Sequence, residues 1–430
     1  MQHEITKPIP LLDDRGNLTE PGWARRPLPV YDRSRVKGGP ARRKEWDYYL
    51  VMGDGFALAL TIADSSCLGV ASISLLDFQE GGQVTRSPVR LLPMGATGLP
   101  GTSQRGNAAV SGRGYALLFH NDGQNRTLTA HMERFREDQT LDAHVILTEA
   151  PPESMVICTP FGKPGHFHYN QKINGLRAQG TVRLGEQVRR FEPETAFGTL
   201  DWGRGVWTWH NTWYWASASG RLDGVPFGFN LGCGFGDTSA ATENAVFYDG
   251  RVHKLSDVAF RLPWDRMAPW TFTGERCALS MTPVLDRSAC AGAGPLRSEQ
   301  HQIFGRFNGT VVLDDGTKTL PCAINVVTDE PGRTVMEMTL KEGKNREIRR
   351  MCETVGLEVV RLKRNAEGVV KLGMLKPGTY RELTKAEING LRAAAAKGRA
   401  QTRSAAVQSK AAERRPRGPV GKGTAPKKRK

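Results

Sequence analysis

The chain has 430 residues with 60 Lys and Arg against 44 Asp and Glu, and its formal net charge is +16. That charge is unevenly placed: residues 1–330 hold 34 basic and 35 acidic side chains, whereas residues 331–430 hold 26 and 9. Every Trp and Phe lies before residue 308, and Tyr380 is the one aromatic residue in the last hundred. The composition excludes a wholly disordered chain and indicates two unlike parts.

No run of 18 apolar residues occurs, and the polar start of the chain lacks the basic flank and apolar stretch of a signal peptide. We therefore expect a soluble, cytoplasmic protein without a transmembrane segment. The seven cysteines are scattered and odd in number, and no Cys-x-x-Cys pair is present. That usage favours reduced thiols, and we expect no metal site and no cofactor.

Residues 45–330 alternate short apolar runs with Gly, Asn and Asp, which is typical of an antiparallel β domain. The strands predicted are 49–63, 67–78, 114–120, 126–133, 143–150 and 180–184. Tight hairpins are predicted at the Asp-Gly steps 54–55, 122–123, 249–250 and 315–316. Two stretches with a similar alternation of short apolar runs and Gly, Asn and Asp lie on either side of about residue 195. They indicate two β-sheets or two barrels packed together.

Residues 201–220 contain five of the nine tryptophans. A strand through them would place His210 on one face and, on the other, Trp207, Trp209, Asn211, Trp213, Trp215, Ser217 and Ser219. The next strand would have a nearly side-chain-free face consisting of Gly228, Asn230, Gly232 and Gly234. Two interpretations stay open, an aromatic β core with glycine spacers and a pocket for an apolar or planar small molecule. The pocket residues would be Trp207, Trp209, Trp213, Trp215, Asn230 and Asn244.

A hairpin around Asp249-Gly250 is predicted within residues 242–255. Glu243 enters it and His253 leaves it, so the two could meet across strands as an acid/base pair. The alternative is that both residues are ordinary polar side chains on the surface beside a hairpin. If the β domain is an enzyme, the candidate catalytic residues are His210, Glu243 and His253. No nucleophile elbow, zinc-protease motif, P-loop or dinucleotide fingerprint is present.

Several long motifs resemble the bacterial family known as domain of unknown function 2804, over about residues 3–318. They include LDWGRGVW, TWYWASASG, FGFNLGCGFGD, ATENAVFYDG and FHYNQKINGL. The family is related to lipocalin-like proteins, among them carotenoid hydratases and AttH-type proteins. The resemblance therefore implies a calycin-like double β-barrel or sandwich, and it implies no activity.

The last hundred residues predict a short helix from about Asn345 with a buried stripe of Ile348, Met351, Cys352 and Val355. Arg346, Arg349 and Arg350 form a cationic ridge on it, and a following strand carries Arg361, Lys363 and Arg364. Thr384 and Glu387 predict a capping box for a final helix. Because acidic residues do not balance this charge, we expect RNA contact through residues 331–430 rather than a merely solvated face.

The run EGKNREIRRMCETVGLEVVRLKR, followed by KLGMLKPGTYRELT, resembles the C-terminal part of RsuA/RluB-type ribosomal pseudouridine synthases, over about residues 315–392. By that resemblance, Lys344, Arg346, Arg349 and Arg350 would approach RNA. The family attacks uridine with an Asp in a GRLD motif. Residues 220–223 do spell GRLD, but the Thr and Leu run that follows in the family is missing. We therefore favour a hairpin turn at Asp223 over a nucleophile.

The domains predicted are a lipocalin-like β domain at 1–320, a small α+β pseudouridine synthase fragment at 321–392 and a disordered basic tail at 393–430. The fold class predicted is mainly β. The function favoured is a fusion protein with two binding parts. Its β domain binds an apolar or amphipathic small molecule or lipid, and its C-terminal segment binds RNA, with ribosomal RNA as the expected target. The alternatives are an rRNA pseudouridine synthase and a hydratase or isomerase acting on a lipid-like substrate.

Overall fold

The computed structural model describes residues 2–37, 39, 42–222, 224–293, 296–314, 316, 318–319, 323–330, 333–340, 346–354, 359, 362, 364, 366–367, 370–371 and 379–392. The chain divides into two compact units, Met1–Thr339 and Leu340–Lys430. Within the described residues, no helix is both long and apolar enough to cross a membrane.

The first part of the larger unit is β-rich and includes a short 3-10 helix at Arg33–Arg35. Its strands are β1 Ile9–Pro10, β2 Gly22–Ala24, β3 Pro29–Val30, β4 Arg43–Met52, β5 Phe56–Asp64, β6 Leu68–Asp77, β7 Gly82–Arg86, β8 Val89–Leu91, β9 Gly106–Gly112, β10 Tyr115–Asn121, β11 Arg126–Arg136, β12 Gln139–Thr148, β13 Met155–Pro160, β14 Phe167–Leu184, β15 Gln187–Phe191 and β16 Phe197–Val206.

These strands form one large antiparallel sheet whose main path runs β7-β6-β5-β4-β16-β14-β12-β11-β10-β9, with β2, β8, β13 and β15 attached to it. We call it sheet A; β1 and β3 pair separately and in parallel. Alternate residues of each strand face a large apolar core that includes Phe135, Phe167, Tyr169 and Trp202. Sheet A thus has an apolar inner face, and its outer face is available for other contacts.

The second part of the unit is also antiparallel. Its strands are β17 Tyr214–Leu222, β18 Val225–Cys233, β19 Ala245–Tyr248, β20 Arg251–Lys254, β21 Val258–Arg261, β22 Trp270–Gly274, β23 Cys277–Ala293, β24 Leu296–Val312, β25 Lys318–Thr319, β26 Ala323–Glu330 and β27 Arg333–Thr339.

They form a four-stranded sheet, β17 to β20, a five-stranded sheet, β21 to β25, and the hairpin β26-β27. A second core lies between the first two sheets and includes Phe229, Phe272 and Leu279. On the outer face of sheet A, Leu50 and Leu76 cluster with Leu285 of β23 and Phe304 of β24. The second part therefore covers some of that outer face.

The predicted mainly β class, with β regions before and after residue 195, is confirmed. The Asp-Gly steps also act as predicted in the described hairpins, and Asp249 and Gly250 both have positive φ, +49° and +74°. Two consecutive residues of this kind are what a type I′ turn requires. The predicted step at 315–316 includes Asp315, which lies outside the described residues.

The smaller unit contains helix α1 Glu347–Thr354, a helical stretch at 385–392 and the short strands β28 Ala366–Glu367 and β29 Val370–Lys371. Cys352, in the predicted buried stripe of α1, is only 3% exposed. The capping box is confirmed, since Glu387 N donates to Thr384 Oγ1 at 3.2 Å and Thr384 N donates to Glu387 Oε2 at 2.8 Å. The predicted tail, 393–430, lies outside the described residues.

Candidate functional site

A row of polar side chains runs along one face of β14. The first eight residues of this strand are all buried. Strand alternation places Phe167, Tyr169, Gln171 and Ile173 on the inner face of sheet A, and it places His168, Asn170, Lys172 and Asn174 on the outer face. We call these four residues the polar row. Four consecutive polar positions on one buried face are unusual because each must find a partner or a reason for its burial.

Lys172 and Asp201 form the charged centre of this row. They lie directly opposite each other on β14 and β16, and Lys172 Nζ is 2.9 Å from Asp201 Oδ1. The exposed fractions of the two side chains are 1% and 8%. Asn170 Nδ2 also donates to Asp201 Oδ1, at 2.7 Å. Each charge therefore compensates the other in a region that excludes water.

Two indoles lie beside the Lys172 ammonium, which is 4.6 Å from the ring centre of Trp213 and 4.5 Å from that of Trp215. Both rings are held by hydrogen bonds. Trp213 Nε1 donates to Glu243 Oε1 at 2.7 Å, and Trp215 Nε1 donates to Asn230 Oδ1 at 2.6 Å. The aromatic faces stabilise the cation, and four residues singled out by sequence converge here.

His168 lies at the other end of the row within an aromatic cluster. Its ring stacks on Trp46 with 5.9 Å between ring centres, and it makes edge-to-face contacts with Trp207, Trp213 and Phe235 at centre-to-centre distances of 4.9–5.9 Å. Neither ring nitrogen has a hydrogen-bond partner among the described residues. Burial, and then the charge of Lys172, hold the pKa of His168 well below its ordinary value, so the imidazole is neutral.

Other polar atoms in and beside the row lack hydrogen-bond partners within the described part of the chain, among them Asn170 Oδ1, Asn174 Oδ1 and Trp207 Nε1. The site therefore combines an ammonium, a neutral imidazole, a free amide oxygen and a free indole N–H. Such a set can bind a group that both accepts and donates hydrogen bonds. It also contains the elements of proton transfer, because a neutral imidazole accepts a proton and an ammonium donates one.

Glycines permit the close packing around this site. Gly203 of β16 lies opposite Trp46 of β4, and a Cβ on Gly203 would lie 2.1 Å from Trp46 Cζ2. On β18, a Cβ on Gly232 would lie 2.1 Å from Glu243 Oε1, and one on Gly228 would lie 3.3 Å from Asn174 Cβ. On the glycine face of β18, Glu243 thus covers Gly232 and Asn174 covers Gly228, while the Trp215 indole contacts Asn230 between them.

The prediction of one strand through residues 207–219 is wrong for its first half. Residues 207–213 connect β16 to β17 outside any strand. The physical reason is a local turn in which Thr208 Oγ1 donates to Asn211 Oδ1 at 2.7 Å and Asn211 Nδ2 donates to Thr208 O at 2.7 Å. The tryptophans consequently diverge: Trp209 is 64% exposed, with the Arg42 guanidinium 3.3 Å from its ring centre, and His210 is exposed.

The predicted pair of Glu243 and His253 is not formed, because the structure gives each a different partner. Glu243 accepts from Trp213 and Asn230, whereas His253 Nδ1 accepts from Asp314 N at 3.3 Å. Asn244 links its own segment to strand β18, because its Oδ1 accepts a hydrogen bond from Gly232 N at 2.7 Å. The three predicted catalytic candidates are therefore not assembled into one site.

Sequence reasoning missed His168, Lys172 and Asp201 as functional residues. A signal was present: in HYNQKIN, residues 168–174, a polar side chain occupies every second position of a strand whose intervening residues are mostly apolar or aromatic. Two-sided burial could not be read from that pattern. A cavity of about 310 Å³ lies elsewhere on sheet A, where its lining includes His144, Arg190 and Phe191. Among the described residues, no group of His, Cys, Asp and Glu side chains could hold a metal ion.

The basic residues predicted to bind RNA are only partly described. Arg346 and Arg350 are exposed at the start of α1, whereas Arg349 is half-buried and donates to Val359 O at 3.2 Å. Arg364 is exposed and forms an ion pair with Glu367 at 2.8 Å. Lys344, Arg361 and Lys363 lie outside the described residues, as does Asp223.

Comparison with known proteins finds two unlike relationships. A short stretch is similar to RNA pseudouridine synthases of Bacillus subtilis (strain 168). It is 42% identical over 80 residues to the uncharacterized RNA pseudouridine synthase YtzG, covering 18% of this chain and 34% of that protein. It is 39% identical over 100 residues to ribosomal large subunit pseudouridine synthase B, covering 23% and 41%. The chain thus spans well under half the length of these relatives.

Two solved structures are similar to the β regions. One is a protein assigned as AttH from Nitrosomonas europaea, which has 15% identity and a TM-score of 0.38; the match covers 60% of this chain and 86% of that one. The other is kievitone hydratase from Nectria haematococca, which has 9% identity and a TM-score of 0.38; the match covers 70% of this chain and 97% of that one. The strand pairings above, rather than these likenesses, define the fold. The family model described as "Domain of unknown function (DUF2804)" matches residues 2–324, well over half of the chain, and the chain therefore belongs to that family.

Proposed function

We propose that the β domain, residues 1–320, binds an apolar or amphipathic small molecule at the polar row. The observation that carries this proposal is the set of buried polar atoms on His168, Asn170 and Trp207 for which the described part of the chain supplies no hydrogen-bond partner. Leaving such an atom unsatisfied costs about 1–3 kcal/mol, so a bound polar group would recover that energy. The apolar body of the ligand would lie along Trp207, Trp213 and Phe235.

Native mass spectrometry of the full-length protein purified from cells tests this binding. We expect a retained small molecule, released on denaturation and identifiable by its mass. Asn170→Asp places a carboxylate where the free amide oxygen lies and should reduce retention at least fivefold, whereas Asn107→Asp, on strand β9, should not change it. A wild-type protein that carries nothing and takes up no added lipid or planar aromatic probe would contradict the proposal.

We propose further that residues 321–392 bind RNA, assisted by the basic tail at 393–430. This rests on the excess of basic residues after residue 331, on the helix that carries Arg349 and Arg350 with Arg346 directly before it, and on the short similarity to RNA pseudouridine synthases. Phosphate contacts release counterions, so affinity for RNA should fall steeply as salt rises.

The measurement is the affinity of the full chain for a ribosomal RNA hairpin at several salt concentrations. Arg346→Gln should weaken binding and flatten the slope of log affinity against log salt by about one. Arg251→Gln, at an exposed position on β20, is the control. An affinity that does not depend on salt, or equal binding by both variants, would refute RNA contact through this segment.

Two alternatives are testable in the same preparation. Uridine isomerisation in ribosomal RNA that is lost in Asp223→Asn would make the chain a pseudouridine synthase. A hydratase or isomerase reaction could not use His210, Glu243 and His253 together, because these residues have separate partners; His168 and Lys172 are the better acid/base candidates.

We place the protein in the cytoplasm, in keeping with its scattered cysteines.

A further inference from the structure

An exposed apolar surface lies along strands β6 and β8 and continues into the loop after them. Leu91 and Leu92 are 74% and 67% exposed, and Val89, Met94 and Leu68 are 56%, 50% and 45% exposed. Leu68 pairs directly with Leu91 across the two strands, so their side chains share one face. We call these five residues the apolar edge. Their clustering distinguishes them from single apolar residues scattered on a surface, which need no explanation.

The backbone of the apolar edge is held in an unfavourable conformation. Leu92 and Met94 have φ of +51° and +52°, a left-handed conformation that costs such residues on the order of 1–3 kcal/mol each. Hydrogen bonds maintain it, because Leu92 N donates to Cys67 O at 2.8 Å and Met94 N donates to Ser66 O at 3.0 Å. The backbone strain at these two residues therefore lowers the stability of the fold, and the same conformation exposes two apolar side chains to solvent.

A buried carboxylate anchors this arrangement. Asp64 is fully buried, and it accepts from Ser66 N at 2.8 Å through Oδ1 and from Gly95 N at 2.9 Å through Oδ2. The same side chain thus fixes the turn before β6 and the loop after β8. The apolar edge is consequently presented on a rigid support rather than on a loosely attached loop.

The segment 81–121, which contains four of the five residues of the apolar edge, carries charge of one sign. Residues 81–121 contain no Asp or Glu, and they contain four arginines. Arg86 and Arg90, the two nearest in sequence to the apolar edge, are both exposed. An apolar projection flanked by exposed cations is complementary to an anionic surface with an apolar interior.

We infer that the apolar edge docks on a phospholipid bilayer that contains anionic headgroups. Leu91, Leu92 and Met94 enter the boundary between headgroups and acyl chains, and Arg86 and Arg90 lie at the level of the phosphates. A stable protein interface buries about 800 Å² on each partner, more than five side chains beside a tight loop supply. A bilayer accepts a few inserted side chains, and this docking does not depend on the small molecule proposed above.

The test is the partition coefficient of the full-length protein on vesicles of phosphatidylcholine with and without phosphatidylglycerol. Leu91→Ser/Leu92→Ser should lower partitioning at least tenfold on the anionic vesicles. Leu118→Ser/Val188→Ser, which changes exposed apolar residues on β10 and β15, should leave it unchanged. The basic tail attracts every variant equally, so the ratio between variants isolates the apolar edge.

Arg86→Ser/Arg90→Ser provides a second variant, and it should lose partitioning on anionic vesicles while keeping the partitioning of the wild type on neutral ones. If Leu91→Ser/Leu92→Ser loses its near-ultraviolet circular dichroism signal, and so its tertiary structure, Arg86→Ser/Arg90→Ser alone tests the docking. Equal partitioning by wild type and both variants overturns the inference. So does a dimer in light scattering that Leu91→Ser/Leu92→Ser converts to monomer, because the apolar edge would then bind a second copy.

Discussion

Lys172 of β14 and Asp201 of β16 face each other across a buried strand pair, with 2.9 Å between Nζ and Oδ1. Removing one partner of such a pair is costly because the other charge stays buried without compensation. The pair thus ties the stability of sheet A to the same residues that we propose for ligand binding.

Lys172→Met should lower the free energy of unfolding by about 3–5 kcal/mol, since it leaves the Asp201 carboxylate uncompensated. The double variant Lys172→Met/Asp201→Asn should recover much of that loss, because it removes both charges and keeps an acceptor for Asn170. Urea unfolding followed by tryptophan fluorescence measures both. Losses that simply add in the double variant would show that the two charges do not interact.

His168→Phe separates a binding role from a packing role. Phenylalanine keeps the stacking on Trp46 and removes two nitrogens without partners, so stability should be unchanged or slightly higher. Ligand retention in native mass spectrometry should nevertheless fall several-fold. A variant that retains ligand like the wild type would assign His168 to packing alone.

The same residue predicts a pH dependence. Because the pKa of His168 in the folded protein is depressed, the unfolded chain binds a proton below its ordinary pKa of about 6.5 while the native chain does not. Stability should therefore fall as the pH drops below that value, and the fall should be shallower in His168→Phe. Parallel pH profiles of unfolding midpoints in the two proteins would contradict this assignment.

Gly203→Ala should destabilise the protein by about 1–3 kcal/mol, because the added methyl group would occupy the position of the Trp46 ring. The matched control is Gly220→Ala on β17, where an added Cβ meets nothing within 4 Å. Thermal unfolding compares the two. An equal shift in both variants would mean that the loss of glycine flexibility, and not the Trp46 contact, sets the cost.

Lys254 predicts a pH trend of the same sign as that of His168, in a more alkaline window. Burial lowers its pKa to about 7, although Thr242 Oγ1 and Asn244 O both accept from its ammonium at 2.9 Å. Between that value and the ordinary lysine pKa of about 10.4, the unfolded chain binds more protons than the native one, so stability should rise with pH over this window. Lys254→Met should flatten the rise in unfolding midpoint, and a rise of unchanged slope would exclude Lys254 as its source.

Much of the fold could be predicted because its signals are local. Alternation of apolar and polar residues marked the strands, and the requirement for positive φ marked the Asp249-Gly250 turn. The capping box at Thr384 and Glu387 is likewise a contact within one turn of chain. The segment 207–213 was predicted wrongly because hydrogen bonds between Thr208 and Asn211 outweigh a strand pattern that looks equally regular in the sequence.

The candidate site was predicted in part. Trp213, Trp215 and Asn230 were singled out as pocket residues and Glu243 as a catalytic candidate, and the structure brings the four together. Lys172, which contacts Trp213 and Trp215, was missed because it lies about forty residues earlier in the chain and meets the two indoles only through the packing of the second part of the unit on sheet A. Trp209 and His210 share the composition of that segment but turn outward.

The sequence by itself determined the β class, the division into a near-neutral part and a basic part, and the turns and caps, since each depends on composition or on residues close together in the chain. The tertiary structure alone decided that the outer face of β14 is buried and that Lys172 faces Asp201. It also decided that His168 is enclosed by Trp46, Trp207 and Phe235. Burial on two faces depends on which sheet covers which, and strand periodicity carries no information about that.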